Sequence, residues 1–178
     1  MPLLFKKPRL QKKFPLIISL ASTLLFIGVY QSLVFNITPS MPEGIYLKTH
    51  SSIKRGSIVL VCLDKEQAKF GLTRHYLIEG NRNCNNTVPL IKEVIAVPHD
   101  NVLLTDNSIS VNGKKYQYPT FYQDSAHRPL PVYPRGEYPN TTGNWLLGVT
   151  DPRSWDSRYW GPLPQRTLRQ TLLPLITW

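Results

Sequence analysis

Hydrophobic residues fall along this chain in two regimes. From Phe14 through Phe35, "FPLIISLASTLLFIGVYQSLVF", 22 residues pass without a single charge. At about 1.5 Å of rise per residue, roughly 20 helical residues cross the hydrocarbon of a bilayer, so this run predicts a membrane-spanning helix. Beyond it the pattern breaks into short stretches rich in Ile, Val, Leu and Tyr, bounded by Gly, Pro and charged turns, which predicts strands. "GIYLKT" and "GSIVLVCL" read as a hairpin or the start of a meander, and "VPLIKEVIAVP" as a third strand with Pro at each end. "NVLLTDNSISVNGKKYQY" reads as two strands about a "TDNS" turn, with Asn112 and Gly113 making another turn. The proline-rich stretch from Pro119 to Pro139 is expected to be irregular or a sheet edge, after which "NWLLGVT" returns to strand. One helical stretch is expected near residues 65 to 76.

Composition agrees with this pattern. Sixteen prolines and ten glycines against two methionines, in 178 residues, favour one loop-rich, mostly β domain with an appended segment. The formal net charge is +10, but Lys6, Lys7, Arg9, Lys12 and Lys13 stand in the first thirteen residues with no acid, leaving +5 for the remainder. That remainder has no long basic run and no zinc-finger spacing, so no nucleic-acid partner is expected. The basic cluster instead flanks the apolar run on its N-terminal side. By the positive-inside rule the N-terminus stays cytoplasmic and the following domain is exported. A cleavable secretory signal is the rival reading, since it has the same order of regions; the length of the run and the lack of an Ala-x-Ala site favour an uncleaved anchor. The organisation expected is a basic cytoplasmic segment (1–13), a transmembrane anchor (14–35) and an exported antiparallel β domain (36–178).

Cys62 and Cys84 are the only cysteines. In an exported domain an even pair points to a disulfide closing the 62–84 excursion, with two buried thiols as the alternative. The histidines His50, His75, His99 and His127 form no short ligand pair, so no metal or other cofactor is expected. A serine hydroxyl needs a base within hydrogen-bond reach, either His or a lysine made neutral by burial. In "PLIKEVIAV" the alternation of a strand puts Lys92 on the face of Leu90 and Val94, with Ile91, Glu93 and Ile95 on the other. Desolvation there favours the neutral amine, against the alternative of an edge lysine reaching water. "DPRSWDSRYWGP" (151–162) mixes Ser154, Asp156 and Arg158 with aromatic rings, the composition of a packed polar network, although a surface ion pair in a turn fits the same residues. Ser51 to Lys54, "SSIK", formally matches S-x-x-K but lacks the helix and companion motifs of penicillin-recognising enzymes. The sequons at Asn36, Asn85 and Asn140 carry little weight.

Three segments in order, "PSMPEGIY", "PLIKEVIAVPHD" and "SWDSRYWGP", resemble the nucleophile, general-base and last boxes of the Ser/Lys signal peptidase I family, and within it the TraF-type conjugative-transfer peptidases. The resemblance runs from Asn36 onward and includes the Cys-to-Cys excursion and the terminal "PLITW". It implies a signal-peptidase-like β domain, with about 101–147 as an inserted β and Pro-rich region, in a single-pass protein of the bacterial inner membrane. It implies Ser40 as nucleophile, Lys92 as general base, Ser154 orienting the lysine amine and Thr38 contributing to the oxyanion hole. Met41 and Ile91 match substrate-pocket positions, and Asp156 and Arg158 are supports. The implied activity is removal of leader peptides from exported precursors, a pilin-like protein above all, by hydrolysis or with head-to-tail closure. The alternatives are a general leader peptidase and a non-catalytic tethered subunit of a secretion apparatus. His99 departs from the family's Gly in the turn after the base strand, and the "GDN" run of general leader peptidases is missing before "SWDSR".

Overall fold

The computed structural model describes residues 14–178, so the basic segment 1–13 lies outside the described residues. The chain divides between Val34 and Phe35 into two units. The first holds α1 (Phe14–Ser32), whose Pro15–Ser32 window has a mean hydropathy of 1.5 with none of it buried within the protein. The hydroxyls of Ser22, Thr23 and Ser32 bond back to the helix backbone: Thr23 Oγ1 donates to Ser19 O at 2.8 Å and Ser32 Oγ to Gly28 O at 2.9 Å. Internal pairing of this kind is what an apolar solvent demands. By length and composition the helix suits a membrane anchor or a signal sequence. It stops three residues short of Phe35, because Leu33–Asn36 takes extended form as β1, where a sheet ladder satisfies backbone groups that a last helical turn leaves open.

The second unit is built on β2 (Gly44–Thr49), β3 (Ile58–Val61), β5 (Leu90–Ala96), β10 (Trp145–Leu147) and β11 (Leu168–Thr177). With β1 they form a six-stranded sheet in the order β1-β2-β11-β3-β5-β10. The expected hairpin of β2 with β3 is not formed. The C-terminal β11 lies between them, with Thr171 opposite Thr49 on one side and Val59 on the other. Pro174 sits beyond Leu172, where the pairing with β3 ends, so its missing N–H leaves no gap in that ladder. A smaller sheet, order β8-β7-β6-β9, comes from β6 (Val102–Leu104), β7 (Ile109–Val111), β8 (Lys114–Tyr116) and β9 (Gly136–Tyr138). β9, drawn from the proline-rich stretch, is one of its two edges. α2 (Lys65–Thr73) opens on Asp64, whose carboxylate accepts from Gln67 N at 2.9 Å, and the short α3 (Ser157–Trp160) follows Asp156.

Strand alternation divides the core in two. Val94 of β5 joins Val59, Val61, Leu146, Trp160 and Leu163, while its neighbour Ile95 joins Trp145, Leu147, Val102, Leu104 and Ile109. The second group locks the small sheet onto the large one. Each such fully buried side chain contributes about 1.5–3 kcal/mol. A Cys62–Cys84 disulfide closes the excursion that carries α2 and β4 (Glu79–Asn81).

Candidate active site

Lys92 is central to β5 and opposite Val59 of β3, and its side chain is 2% exposed. Nζ donates to Ser154 Oγ at 2.7 Å. Burial drives its pKa down from the ordinary 10.5 to about 8; Asp156 and Asp151 pull upward, and the Arg158 charge adds to the depression. Desolvation of the ammonium is the largest effect and outweighs the upward pull of the two carboxylates, part of which the guanidinium cancels.

Ser40 lies on the turn between β1 and β2 and lines the same cleft as Lys92, Ser154, Thr38 and Asp151, a cavity of about 420 Å³. Among the described residues no hydrogen bond joins Ser40 to Lys92; the lysine amine is held by Ser154. The Thr38 hydroxyl donates to Asn36 Oδ1 at 2.7 Å. Leu90, Leu130, Trp155 and Tyr159 give the cleft an apolar lining, and Tyr76 and Asp124 bound it. Met41 and Ile91 are buried, 1% and 7% exposed, but do not line it. For Ile91 the reason is alternation, which sends it to the face of β5 opposite Lys92.

The segment 151–158 is held by an ion pair with no exposure at either side chain. Arg158 Nη2 donates to Asp156 Oδ2 and Nε to Oδ1, each at 2.8 Å. The same guanidinium donates to Ser154 O at 2.9 Å, to Pro152 O at 2.9 Å and to Pro119 O. Asp156 Oδ2 also accepts from Gly148 N at 3.1 Å, and Ser157 Oγ from Leu146 N at 2.8 Å. This network ties the end of β10 to the turn that presents Ser154. Thr150 N then donates to Ser40 O at 3.3 Å. The turn after β1 and the loop after β10 therefore touch, although these strands are the two edges of the sheet.

Sequence reasoning passed over several residues that shape this place. A Cβ built on Gly148 lies 2.1 Å from Ser154 Oγ and 2.8 Å from Ser40 O, so only glycine lets the two segments meet. Asn36 is buried, and its amide bonds the Ser40 turn rather than offering a glycosylation site. Tyr76 and Asp124, 48 positions apart, are joined by a 2.6 Å hydrogen bond from Tyr76 Oη at the cleft wall. Asn36 and Gly148 carry a local signal only in their neighbours, "NITPSMP" and "WLLGVT". His99 takes the left-handed φ of 75° that the turn requires, with Nδ1 2.8 Å from Asn140 Oδ1.

The chain is 30% identical over 146 residues to a plasmid transfer protein TraF of Escherichia coli, covering 80% of this chain and 82% of that one. It is 32% identical over 168 residues to a conjugal transfer protein TraF of Agrobacterium fabrum, covering 91% and 90%. A crystal structure of a signal peptidase I from Enterococcus faecalis aligns with 70% of this chain and 100% of its own, at 19% identity and a TM-score of 0.41. The family model for signal peptidase, peptidase S26, matches residues 12–173. A match of that extent, with TraF relatives along most of the chain, makes this protein a peptidase of the S26 signal peptidase family.

Proposed function

We propose that the protein is a membrane-anchored serine endopeptidase that cleaves leader peptides from exported precursors of a conjugative transfer system, with a pilin-like precursor as the favoured substrate. The single observation that carries the reading is Lys92: an amine buried to 2% exposure, with a pKa lowered to about 8, in one cleft with Ser40. A neutral amine that donates one N–H to Ser154 keeps its lone pair for the Ser40 proton. Lys92 takes that proton as Ser40 Oγ bonds to the scissile carbonyl carbon, and gives it to the departing amine as the C–N bond breaks. An acyl-enzyme remains. Lys92 then removes a proton from water, whose oxygen attacks the ester carbon, and Ser40 leaves with that proton.

Developing negative charge on the carbonyl oxygen calls for donors, and the Ser40 N–H and the Thr38 hydroxyl are assigned to it; losing one such donor costs about 10²–10³ in rate. In the free chain the single Thr38 proton points to Asn36, so it meets a substrate oxygen by turning about its own C–O bond. The TraF names of the relatives support the conjugative setting, and the apolar α1 supports action at a membrane, with the catalytic domain on its outer side.

The test is cleavage of an exported precursor by the full-length protein in detergent, beside Ser40→Ala and Lys92→Ala. Both variants are expected to fall to background. Cleavage by either at the parent's rate removes the dyad, and an inactive parent supports a tethered structural subunit instead. Comparable processing of housekeeping and pilin-like precursors marks a general leader peptidase.

A further inference from the structure

We infer that Asn36 is a positioning residue for the Ser40 nucleophile; the inference rests on the Ser40 reading above. The turn from Asn36 to Pro42, "NITPSMP", contains two prolines, which remove the backbone donors at 39 and 42. A turn so short of N–H groups has unmatched carbonyls, and one side-chain amide meets them. Asn36 Nδ2 donates to Thr38 O at 3.0 Å, Met41 O at 3.0 Å and Pro42 O at 2.9 Å. Its Oδ1 accepts from Thr38 N at 3.1 Å and Thr38 Oγ1 at 2.7 Å. An amide has two N–H bonds and two acceptor sites, so one N–H is shared between two of the three carbonyls and all of its capacity is committed within this turn.

The brace spans the residues on both sides of Ser40 and leaves Ser40 itself untied to Asn36. Asn36 is 4% exposed, so water cannot substitute for it at little cost. Tyr46 Oη adds a second donor to Pro42 O at 2.5 Å, anchoring the far end of the turn to β2. Among the described residues no hydrogen bond joins the Asn36 amide to Lys92 or Ser154, so its effect is on the turn that carries Ser40 and Thr38 and not on the base. Asp cannot replace it: a carboxylate keeps the two contacts to Thr38 but turns an oxygen without a proton toward three carbonyls.

The experiment uses the full-length chain in detergent and a fluorogenic peptide with Ala at the first and third positions before the scissile bond. A misplacement of about 1 Å costs ~10²-fold in rate. Asn36→Ala is therefore expected to lower kcat about 10²-fold with KM within about threefold of the parent. The rise of rate with pH that reports the base stays where the parent has it. Asn36→Asp is expected to lose kcat similarly, and it decides the matter if Asn36→Ala does not fold. Parent-like kcat in either folded variant, a loss confined to KM, or a displaced pH rise overturns the brace. Inactive Ser40→Ala beside fully active Asn36→Ala overturns it while sparing the nucleophile. Cleavage by Ser40→Ala at the parent's rate removes both.

Discussion

A buried lysine is a cost to the fold and an asset to the site. In the unfolded chain Lys92 titrates near the ordinary 10.5, and in the folded chain near 8. Between those values the unfolded state binds more protons, so stability rises as pH climbs through the window. Below it the full penalty stands, on the order of 3 kcal/mol. Lys92→Met is therefore expected to melt higher than the parent near pH 7, by about 10 °C, with the gap closing above pH ~10.5. Melting scans at the two pH values check this; an equal gap at both would contradict the buried charge. For the parent, kcat/KM should rise with pH and level off above about 8. Gly148 makes the second residue-scale case: Gly148→Ala is expected to abolish cleavage, since its new methyl falls on Ser154 Oγ and the Ser40 carbonyl. Peptide cleavage and a melting curve on the same sample test it, and parent-like activity would refute the wedge. The burial of Lys92 was legible in the sequence because alternation along one strand is local. Gly148 was not, because the atoms that forbid a side chain there belong to residues 40 and 154.

At the scale of elements, the cleft wall is made by two excursions from the sheet. The disulfide-closed loop brings Tyr76 after α2, and the proline-rich segment brings Asp124, which Arg128 Nε also meets at 2.7 Å. Phe70, Tyr76 and Trp155 pack ring against ring at 5.5–6.0 Å and join α2 to the segment bearing Ser154. A link across 22 positions restricts the unfolded chain, a gain of about 3 kcal/mol. The Cys62→Ser, Cys84→Ser double variant is expected to lose about that much in denaturant titration; an unchanged midpoint and slope would contradict it. Oxidised pairing was inferable from the exported setting. The meeting of Tyr76 with Asp124 was not, since neither flanking segment has a periodicity that names its partner. The turn at His99 was read as a departure from the family's glycine, and the chain nonetheless adopts the left-handed backbone there, with Asn140 beside the ring.

For the molecule as a whole, the run of apolar residues and the mostly β character were plain from composition and pattern, whereas the strand order was not. Local rules pair neighbours, and β2 and β3 are neighbours in sequence. β11, written "LRQTLLPLIT" with a proline inside, hides a strand ten residues long that separates them. Its last contact, Trp178 N donating to Glu43 O at 3.0 Å, is three residues from Ser40 in sequence. Within the sheet, the strand that follows Ser40 and the strand that pairs with the Lys92 strand are thus bridged by β11. Ending the chain at Arg169 takes away most of the strand that bridges them and should leave a protein that cleaves nothing, and adding residues 170–178 as a separate peptide offers the direct complementation test.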